Sequence, residues 1–114
     1  MGVFMINKTE KGWYETEFFN YKGKKLFNSI CCKQKSDCLL IVQTLKSELE
    51  QFVIRKSTAT SGKHIFRLSR GGYILGTSRE FPSELSLNKA IDMTLKYVPD
   101  AEILDLPDES DVFL

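Results

Sequence analysis

The chain carries the segment Gly72-Tyr73-Ile74-Leu75-Gly76-Thr77-Ser78 49 residues after the segment Gly23-Lys24-Lys25-Leu26-Phe27-Asn28-Ser29. Each segment begins with a turn-forming glycine, continues through apolar residues and ends on serine, which is typical of a short β-strand. Similarity at a fixed spacing indicates an internal repeat. The sequence therefore predicts a duplication of a unit of about 49 residues.

The residues before these segments are also duplicated. At a spacing of 48 residues, phenylalanine, isoleucine and lysine recur between Phe4-Met5-Ile6-Asn7-Lys8 and Phe52-Val53-Ile54-Arg55-Lys56. At a spacing of 50 residues, the segment 12–18 aligns with the segment 62–68. The spacing changes only at the turns, because loops tolerate insertion better than strands do.

A helix is predicted after the third strand of each half. The apolar stripe of the first helix consists of Cys38, Ile41, Val42, Leu45 and Leu49, which share one helical face. The second stripe follows 49 residues later and consists of Leu87, Ala90, Ile91, Thr94 and Val98. Ser36 and Ser83 are the predicted N-caps, and Pro99 is predicted to end the second helix.

These patterns predict the α+β fold class. The predicted strands are residues 3–7, 12–19, 24–29, 52–56, 63–69, 73–78 and 101–106. The plan is a tandem β-β-β-α repeat plus a C-terminal strand, and we expect one shared antiparallel sheet with both helices on one face. Residues 1–114 form a single domain in this interpretation, with repeats at residues 3–49 and 52–106 and an acidic tail at residues 107–114.

Several short motifs connect the chain to a known family. They are the segment 23–29 followed by Lys35-Ser36-Asp37-Cys38, then Phe66-Arg67-Leu68, and the segment 72–78 followed by Phe81, Ser83 and Ala90-Ile91. In these motifs the chain resembles the tandem YegP-like domains of bacteria over about residues 3–106. The resemblance implies two β3-α-β units that share a sheet and exchange their C-terminal strands. It implies no catalytic residue, because the family is largely uncharacterised.

Both halves depart from the family pattern before the third strand, where Tyr21-Lys22 and Arg70-Gly71 stand in place of Ala-Asn. The first half departs further: Cys32 stands where the family has an aromatic residue, and Ile41 stands where the family has a glycine in the helix. The second half therefore matches the family better than the first half does.

The composition is that of a globular protein. Of the 114 residues, 42% are hydrophobic and 27% are charged, which excludes a disordered polymer. No apolar run approaches the roughly 18 residues of a transmembrane helix, and the first residues lack the pattern of a secretory signal. We therefore expect a cytoplasmic protein with no membrane partner.

The formal net charge of +1 conceals two unequal regions. Residues 1–99 carry 16 basic and 9 acidic side chains, whereas residues 100–114 carry six acidic side chains and no basic one. A basic body can attract nucleic acid by releasing counterions, and an acidic tail can compete for the same surface. Because the basic residues are spread along the chain, ordinary solvated faces are the simpler interpretation.

No set of residues in the sequence predicts catalysis, a metal site or a cofactor. Cys31, Cys32 and Cys38 are an odd number of thiols and do not suggest a disulfide framework, and Cys38 belongs to the apolar stripe of a helix. His64 has no cysteine or histidine at a zinc-ligand spacing, and its place in the strand predicts a structural histidine. We therefore predict no catalytic residue, no metal and no cofactor, and hence a protein that is not an enzyme.

Two helices cannot cover both faces of the predicted sheet. Strand alternation places on the open face Met5, Trp13, Glu15, Glu17, Val53, Arg55, Ile65 and Arg67. A mixture of tryptophan, aliphatic and arginine side chains is typical of a contact surface. The predicted binding residues are Trp13, Arg55, Ile65 and Arg67. The alternative is an open face with scattered exposed apolar residues and no partner.

Three functional hypotheses remain. The first is a non-enzymatic domain that binds a protein partner or a second copy of itself through the open sheet face. The second is a nucleic-acid-binding protein with a basic body and an acidic autoinhibitory tail. The third is a small enzyme of unknown type, which ranks last because no residue set supplies a nucleophile, a base and an orienting partner.

Overall fold

The computed structural model describes residues 2–105, so the predicted acidic tail at residues 107–114 lies outside the described residues. The elements follow the order β-β-β-α-β-β-β-α-β, with a short 3-10 turn, Leu49–Gln51, after the first helix. The strands are β1 (Val3–Lys8), β2 (Tyr14–Phe19), β3 (Lys25–Ser29), β4 (Val53–Thr58), β5 (His64–Arg70), β6 (Tyr73–Ser78) and β7 (Glu102–Asp105). The helices are α1 (Lys35–Glu48) and α2 (Glu84–Tyr97).

One hairpin shows how the sequence dictates the local structure. Arg70 and Tyr73 are register partners, so the β5–β6 connection has only two residues, Gly71 and Gly72. Their φ angles are 59° and 84°. Two consecutive positive φ angles define a type I′ turn, whose twist matches that of the flanking strands, and glycine adopts this conformation without steric cost.

The seven strands form one sheet in the order β4-β5-β6-β3-β2-β1-β7. The prediction of a purely antiparallel sheet is wrong, because β7 pairs with β1 in parallel. The pattern of residues 101–106 predicts an extended segment but contains no signal for the direction of its neighbour, which depends on where α2 delivers the chain. The Glu102 amide, which donates to the Gly2 carbonyl, starts this pairing.

The strand that follows each helix pairs outside the three strands that precede that helix, as the resemblance to the YegP-like fold implies. After α1 the chain passes through the 3-10 turn directly into β4, which pairs with β5. After α2 the chain enters β7, which lies beside β1. The sheet is therefore mixed and contains three strands from each half plus β7.

Both helices contribute to one core on one face of the sheet. α1 packs over β1 and β2, and α2 packs over β5. The four central rings are Phe4, Phe18, Phe27 and Phe66, all at most 1% exposed. Ring centroids 4.8 to 6.3 Å apart connect them into one cluster that joins the two halves. Each unit alone is too small to bury such a core, so the two halves depend on each other.

The two helices begin differently. Ser83 caps α2: its side chain accepts from the Ser86 amide, and the Ser86 hydroxyl accepts in turn from the Ser83 amide. The predicted cap at Ser36 is wrong, because α1 already begins at Lys35, and its N-cap residue is Gln34, whose side chain makes no capping hydrogen bond. Ser36 therefore lies inside the first turn. Among residues 2–105, neither helix is long and apolar enough to cross a bilayer.

Candidate functional site

The face of the sheet opposite the helices is the candidate site, and we call it the open face. One row of register partners crosses all seven strands on this face. From β7 to β4 the row is Leu104, Met5, Glu17, Asn28, Thr77, Arg67 and Arg55. The row begins with apolar and acidic residues and ends with two arginines, so the two ends of the open face differ in chemistry.

The arginine end of the row places two like charges directly opposite each other. Arg55 and Arg67 are Cα partners in the antiparallel β4–β5 pair. The Arg67 guanidinium donates to Ser57 Oγ over 3.1 Å. Within residues 2–105, no carboxylate lies within ion-pair distance of either arginine. Like charges in opposite positions destabilise a sheet, so this pair is a candidate site for an anionic group.

Ile65 belongs to the open face, as strand alternation predicts, but its exposed fraction is only 6%. Its register partner is Ser57, which accepts the hydrogen bond of Arg67. Val53, at the start of β4, is 49% exposed and supplies the apolar contact area that Ile65 does not.

The centre of the open face is electrically balanced. Glu17 accepts a hydrogen bond from Asn7 Nδ2, and its other oxygen lies 3.4 Å from Lys25 Nζ. The carboxylate is therefore neutralised within its own half, and it does not compensate Arg67 and Arg55, which lie three and four strands away. The positive charge of Arg55 and Arg67 remains available to a partner.

Trp13 lies apart from the other three predicted binding residues. The predicted strand included it, but β2 begins at Tyr14, so Trp13 stands just before the strand and is 40% exposed. Strands β3 and β6 separate β2 from β5, a lateral distance of about 14 Å. Arg55, Ile65 and Arg67 form one group, and Trp13 is a second, separate feature.

Lysines surround Trp13 and the neighbouring Tyr14. Lys33 Nζ lies 5.6 Å from the Trp13 ring centroid, and Lys8 and Lys35 lie 6.0 and 5.7 Å from that of Tyr14. Lys11 lines a small cavity of about 240 Å³ beside Trp13. We call these residues the lysine corner. The sequence does not reveal it, because its lysines come from the end of β1, the β1–β2 turn and residues 33–35 at the start of α1, and no spacing rule connects those segments.

The thiols are poor candidates for nucleophiles. Cys31 is exposed and lies beside the Glu15 carboxylate, and partial burial together with the charge of Glu15 raises the pKa of its thiol. Burial and the neighbouring Cys38 raise the pKa of Cys32 to about 11. Raised values disfavour the thiolate at neutral pH. Cys38 is fully buried, as its place in the α1 stripe predicted.

His64 occupies the start of β5 and is half-buried. Its backbone N–H donates to the Phe81 carbonyl, and its own carbonyl accepts from the Phe81 N–H, each over 2.8 Å. This pairing ties the strand to the segment before α2, which is a structural role for the backbone. Residues 2–105 contain no cluster of three or more histidine, cysteine or acidic side chains placed to hold a metal ion.

With this geometry the fold can be compared with known structures. It superimposes on the solution structure of a UPF0339 protein from Shewanella oneidensis with a TM-score of 0.78, at 21% identity over 92% of this chain and 91% of that one. For the yegP protein of E. coli, a protein of unknown function, the TM-score is 0.80 at 18% identity, over 91% of each chain. The class is therefore the YegP-like α+β fold.

A sequence relative is similar to this chain over nearly its whole length. A UPF0339 protein from the region 5′ of the ptx operon of Stutzerimonas stutzeri is 26% identical over 107 residues, which is 92% of this chain and 96% of that protein. No protein-family model matches the chain. The sequence match and the shared fold confirm the resemblance to the YegP-like UPF0339 family that was noted from the sequence.

Proposed function

We propose that the chain is a non-enzymatic binding domain that holds a protein partner through the arginine end of its open face. The observation that carries this proposal is the directly opposed pair Arg55 and Arg67, which has no carboxylate partner among the described residues. An acidic side chain or a C-terminal carboxylate of a partner fits between two guanidinium groups, because each can donate two parallel hydrogen bonds.

The surroundings of the pair favour a protein rather than a small anion. Val53 at the start of β4 is 49% exposed, and Ile74 near the start of β6 is equally exposed. Burial of such side chains stabilises a complex by about 25 cal/mol per Å² of apolar area, while the arginines select an acidic partner and accelerate association. A partner that combines acidic and apolar residues matches both features.

Peptide binding tests this proposal directly. Acidic peptides with one aromatic anchor are titrated against charge-reversed peptides of the same length, with fluorescence anisotropy as the readout. We expect the acidic series to bind more tightly. Arg55→Gln and Arg67→Gln should each weaken it about tenfold, which is a typical effect of removing a charged contact at an interface. Arg79→Gln is the matched control, because Arg79 lies over the Phe81 ring at the other end of β6.

Three results would contradict the proposal. These are equal binding of acidic and basic peptides, no binding of either, and unchanged affinity in both arginine variants. Sedimentation equilibrium of the wild-type protein shows in parallel whether a second copy is the partner. In that case the arginine variants should shift the protein toward monomer. Trp13→Ala tests whether the tryptophan belongs to the same surface.

The lysine corner favours a second candidate function, the binding of single-stranded nucleic acid. Aromatic rings surrounded by cations are a common arrangement for base stacking and phosphate contact. Trp13 is the only tryptophan of the chain, so its fluorescence reports binding at this corner without a label. We expect quenching by single-stranded oligonucleotides, and an affinity that falls steeply with salt.

Two variants and a truncation sharpen this second test. Lys11→Gln and Lys33→Gln should each make the affinity less dependent on salt, by the amount that corresponds to the loss of about one phosphate contact. Removal of residues 107–114 should strengthen binding if the acidic tail competes for the same corner. Arg67→Gln is the control, because Arg67 lies three strands from β2. A flat titration with both DNA and RNA would exclude this function.

A further inference from the structure

A groove of about 580 Å³ lies on the open face at the end opposite the arginine pair. Its apolar wall is formed by Val3, Met5, Phe19 and Leu104, from strands β1, β2 and β7. The β2–β3 turn closes one end. This volume lies within the range of about 300–1,000 Å³ that is typical of ligand sites.

Hydrogen bonds to backbone amides hold the walls of the groove in place. The side-chain oxygen of Asn20 accepts from the amides of Lys22 and Lys24, each over 2.9 Å, which fixes the β2–β3 turn. The amide of Glu102 donates to the Gly2 carbonyl over 3.1 Å, which fixes β7 against β1. These hydrogen bonds preorganise the walls of the groove, so binding does not have to order them.

The charge of the groove has one sign. Asp100 and Glu102 line it on the β7 side, and none of the described residues that line it is a lysine or an arginine. Three lysines lie nearby. Lys22 lies over the ring of Tyr21, 5.7 Å from its centroid. Lys25, the register partner of Phe19, is paired with Glu17, and Lys46 donates to the Ala101 carbonyl. An apolar groove with two carboxylates on one side is complementary to a ligand with an apolar body and one cationic end.

We propose that this groove binds a small amphipathic amine, meaning an aliphatic or aromatic body that ends in one protonated primary amine. The body lies against Met5 and Leu104, which are register partners in the parallel β1–β7 pair. The ammonium group is directed toward Asp100 and Glu102. The site shares no residue with the Arg55–Arg67 pair, which lies at the far end of the same row, so it stands independently of the proposed protein partner.

Three probes of one chain length isolate the role of charge. n-Octylamine, n-octanol and octanoate are titrated into the 15N-labelled protein, and amide chemical shifts report both the affinity and the location. We expect octylamine to shift the amides of Gly23 and Leu104. We also expect octylamine to bind at least about tenfold more tightly than octanoate, since opposite charges at contact distance favour the amine and like charges disfavour the carboxylate. Octanol should fall between them.

Variants separate the charged wall from the apolar one. The double variant Asp100→Asn, Glu102→Gln should remove the difference between octylamine and octanol. Met5→Ala should weaken octylamine and octanol by the same factor. Glu80→Gln is the matched control, because Glu80 is an exposed carboxylate that bonds to Ser61 outside the groove. Preserved amide spectra of the free variants show that they fold.

Any of four results would overturn the site. The first is that octanoate binds as tightly as octylamine, and the second is that octylamine shifts amides outside the groove. The third is that octylamine does not bind. The fourth is that the double variant keeps the wild-type preference for the amine. Asp100 and Glu102 are exposed, so we expect the double variant to fold.

Discussion

The ring of Phe27 lies against the bare α-carbon of Gly76, with its Cδ2 atom 3.5 Å from the position that a Cβ on Gly76 would take. The two residues are 49 positions apart in the chain, and they occupy the central, adjacent strands β3 and β6. A Cβ at this position would also lie 3.3 Å from the Asn28 carbonyl oxygen. The Phe27 ring packs against Gly76 where the two halves meet, so a larger side chain at Gly76 would press against the ring.

A double-mutant cycle tests this relationship. Phe27→Ala should lower the free energy of unfolding by about 3–5 kcal/mol, and Gly76→Leu should lower it by about 1–3 kcal/mol through overpacking. The double variant should lose at least about 1 kcal/mol less stability than the sum of the two single losses, because the leucine enters the space that the ring leaves. Urea denaturation gives the values, and additive effects would contradict the shared volume. Val98→Ala with Gly76→Leu is the control.

Ser29 and Ser78 make the same two hydrogen bonds in the two halves. Each hydroxyl accepts from a buried amide of the neighbouring strand, Thr16 at 2.9 Å and Phe66 at 2.8 Å, and donates to the next carbonyl. Ser29→Ala and Ser78→Ala should each reduce stability by about 1–3 kcal/mol, because a buried amide loses its partner. Ser47→Ala, at an exposed site on α1, should change stability by less than about 0.5 kcal/mol. Similar losses in all three would refute the role of these hydroxyls.

Thr16 and Thr94 are both buried threonines, but only one has a partner for its hydroxyl. Thr94 Oγ1 donates to the Ala90 carbonyl over 2.9 Å, whereas no described residue forms a hydrogen bond with Thr16 Oγ1. Thr16→Val should raise the midpoint of thermal unfolding, corresponding to a gain of about 1 kcal/mol, because it removes an unsatisfied polar group. Thr94→Val should give no comparable gain. Destabilisation by Thr16→Val would show that the hydroxyl has an unseen partner.

The ion pair between Arg70 and Glu48 joins the end of β5 to the end of α1. Hydrogen bonds and the charge of Arg70 lower the pKa of Glu48 below its usual 4.5. The stabilisation is thus present above pH 4.5 and is lost as the pH falls through the lower folded value. In an NMR titration, Arg70→Gln should move the Glu48 midpoint upward, toward 4.5. Arg55→Gln should leave that midpoint unchanged, and an unchanged midpoint in Arg70→Gln would contradict the assignment.

Partial burial and the charge of Glu15 raise the pKa of the Cys31 thiol. We therefore expect Cys31 to react slowly for an exposed thiol. Glu15→Gln should therefore increase the rate of alkylation by iodoacetamide at pH 8, measured by mass spectrometry of the labelled peptide, because the thiolate fraction rises. Glu17→Gln should not, since Glu17 pairs with Asn7 and Lys25. Cys38, which is fully buried, should stay unlabelled until the protein unfolds.

Much of the fold follows from the sequence because local patterns decide it. The aromatic and β-branched segments formed strands within two residues of their predicted bounds, and Ser83 capped its helix as predicted. The prediction of Ser36 as the N-cap of α1 is wrong because it rests on the residue type and not on the repeat. The counterpart of Ser83 at a spacing of 49 is Gln34, which is the observed N-cap. The direction of β7 could not be predicted, since it depends on contacts about 100 residues apart.

The site was less predictable than the fold. Alternation correctly placed Arg55 and Arg67 on one face, but only the register shows that they stand directly opposite each other. Alternation also placed Ile65 there without showing that it is covered. The groove beside Glu102 combines three strands and a turn, so no single stretch of sequence encodes it.

The pairing of β1 with β7 has a consequence for how the molecule is made. Val3 pairs with Glu102, which is synthesised about 100 residues later, so β1 gains its outer partner late. Such distant pairing slows folding, because the entropy of closing a long loop is lost before the contact forms. Until that moment β1 is an exposed edge, and in this interval a newly made chain is most open to pairing with its neighbours.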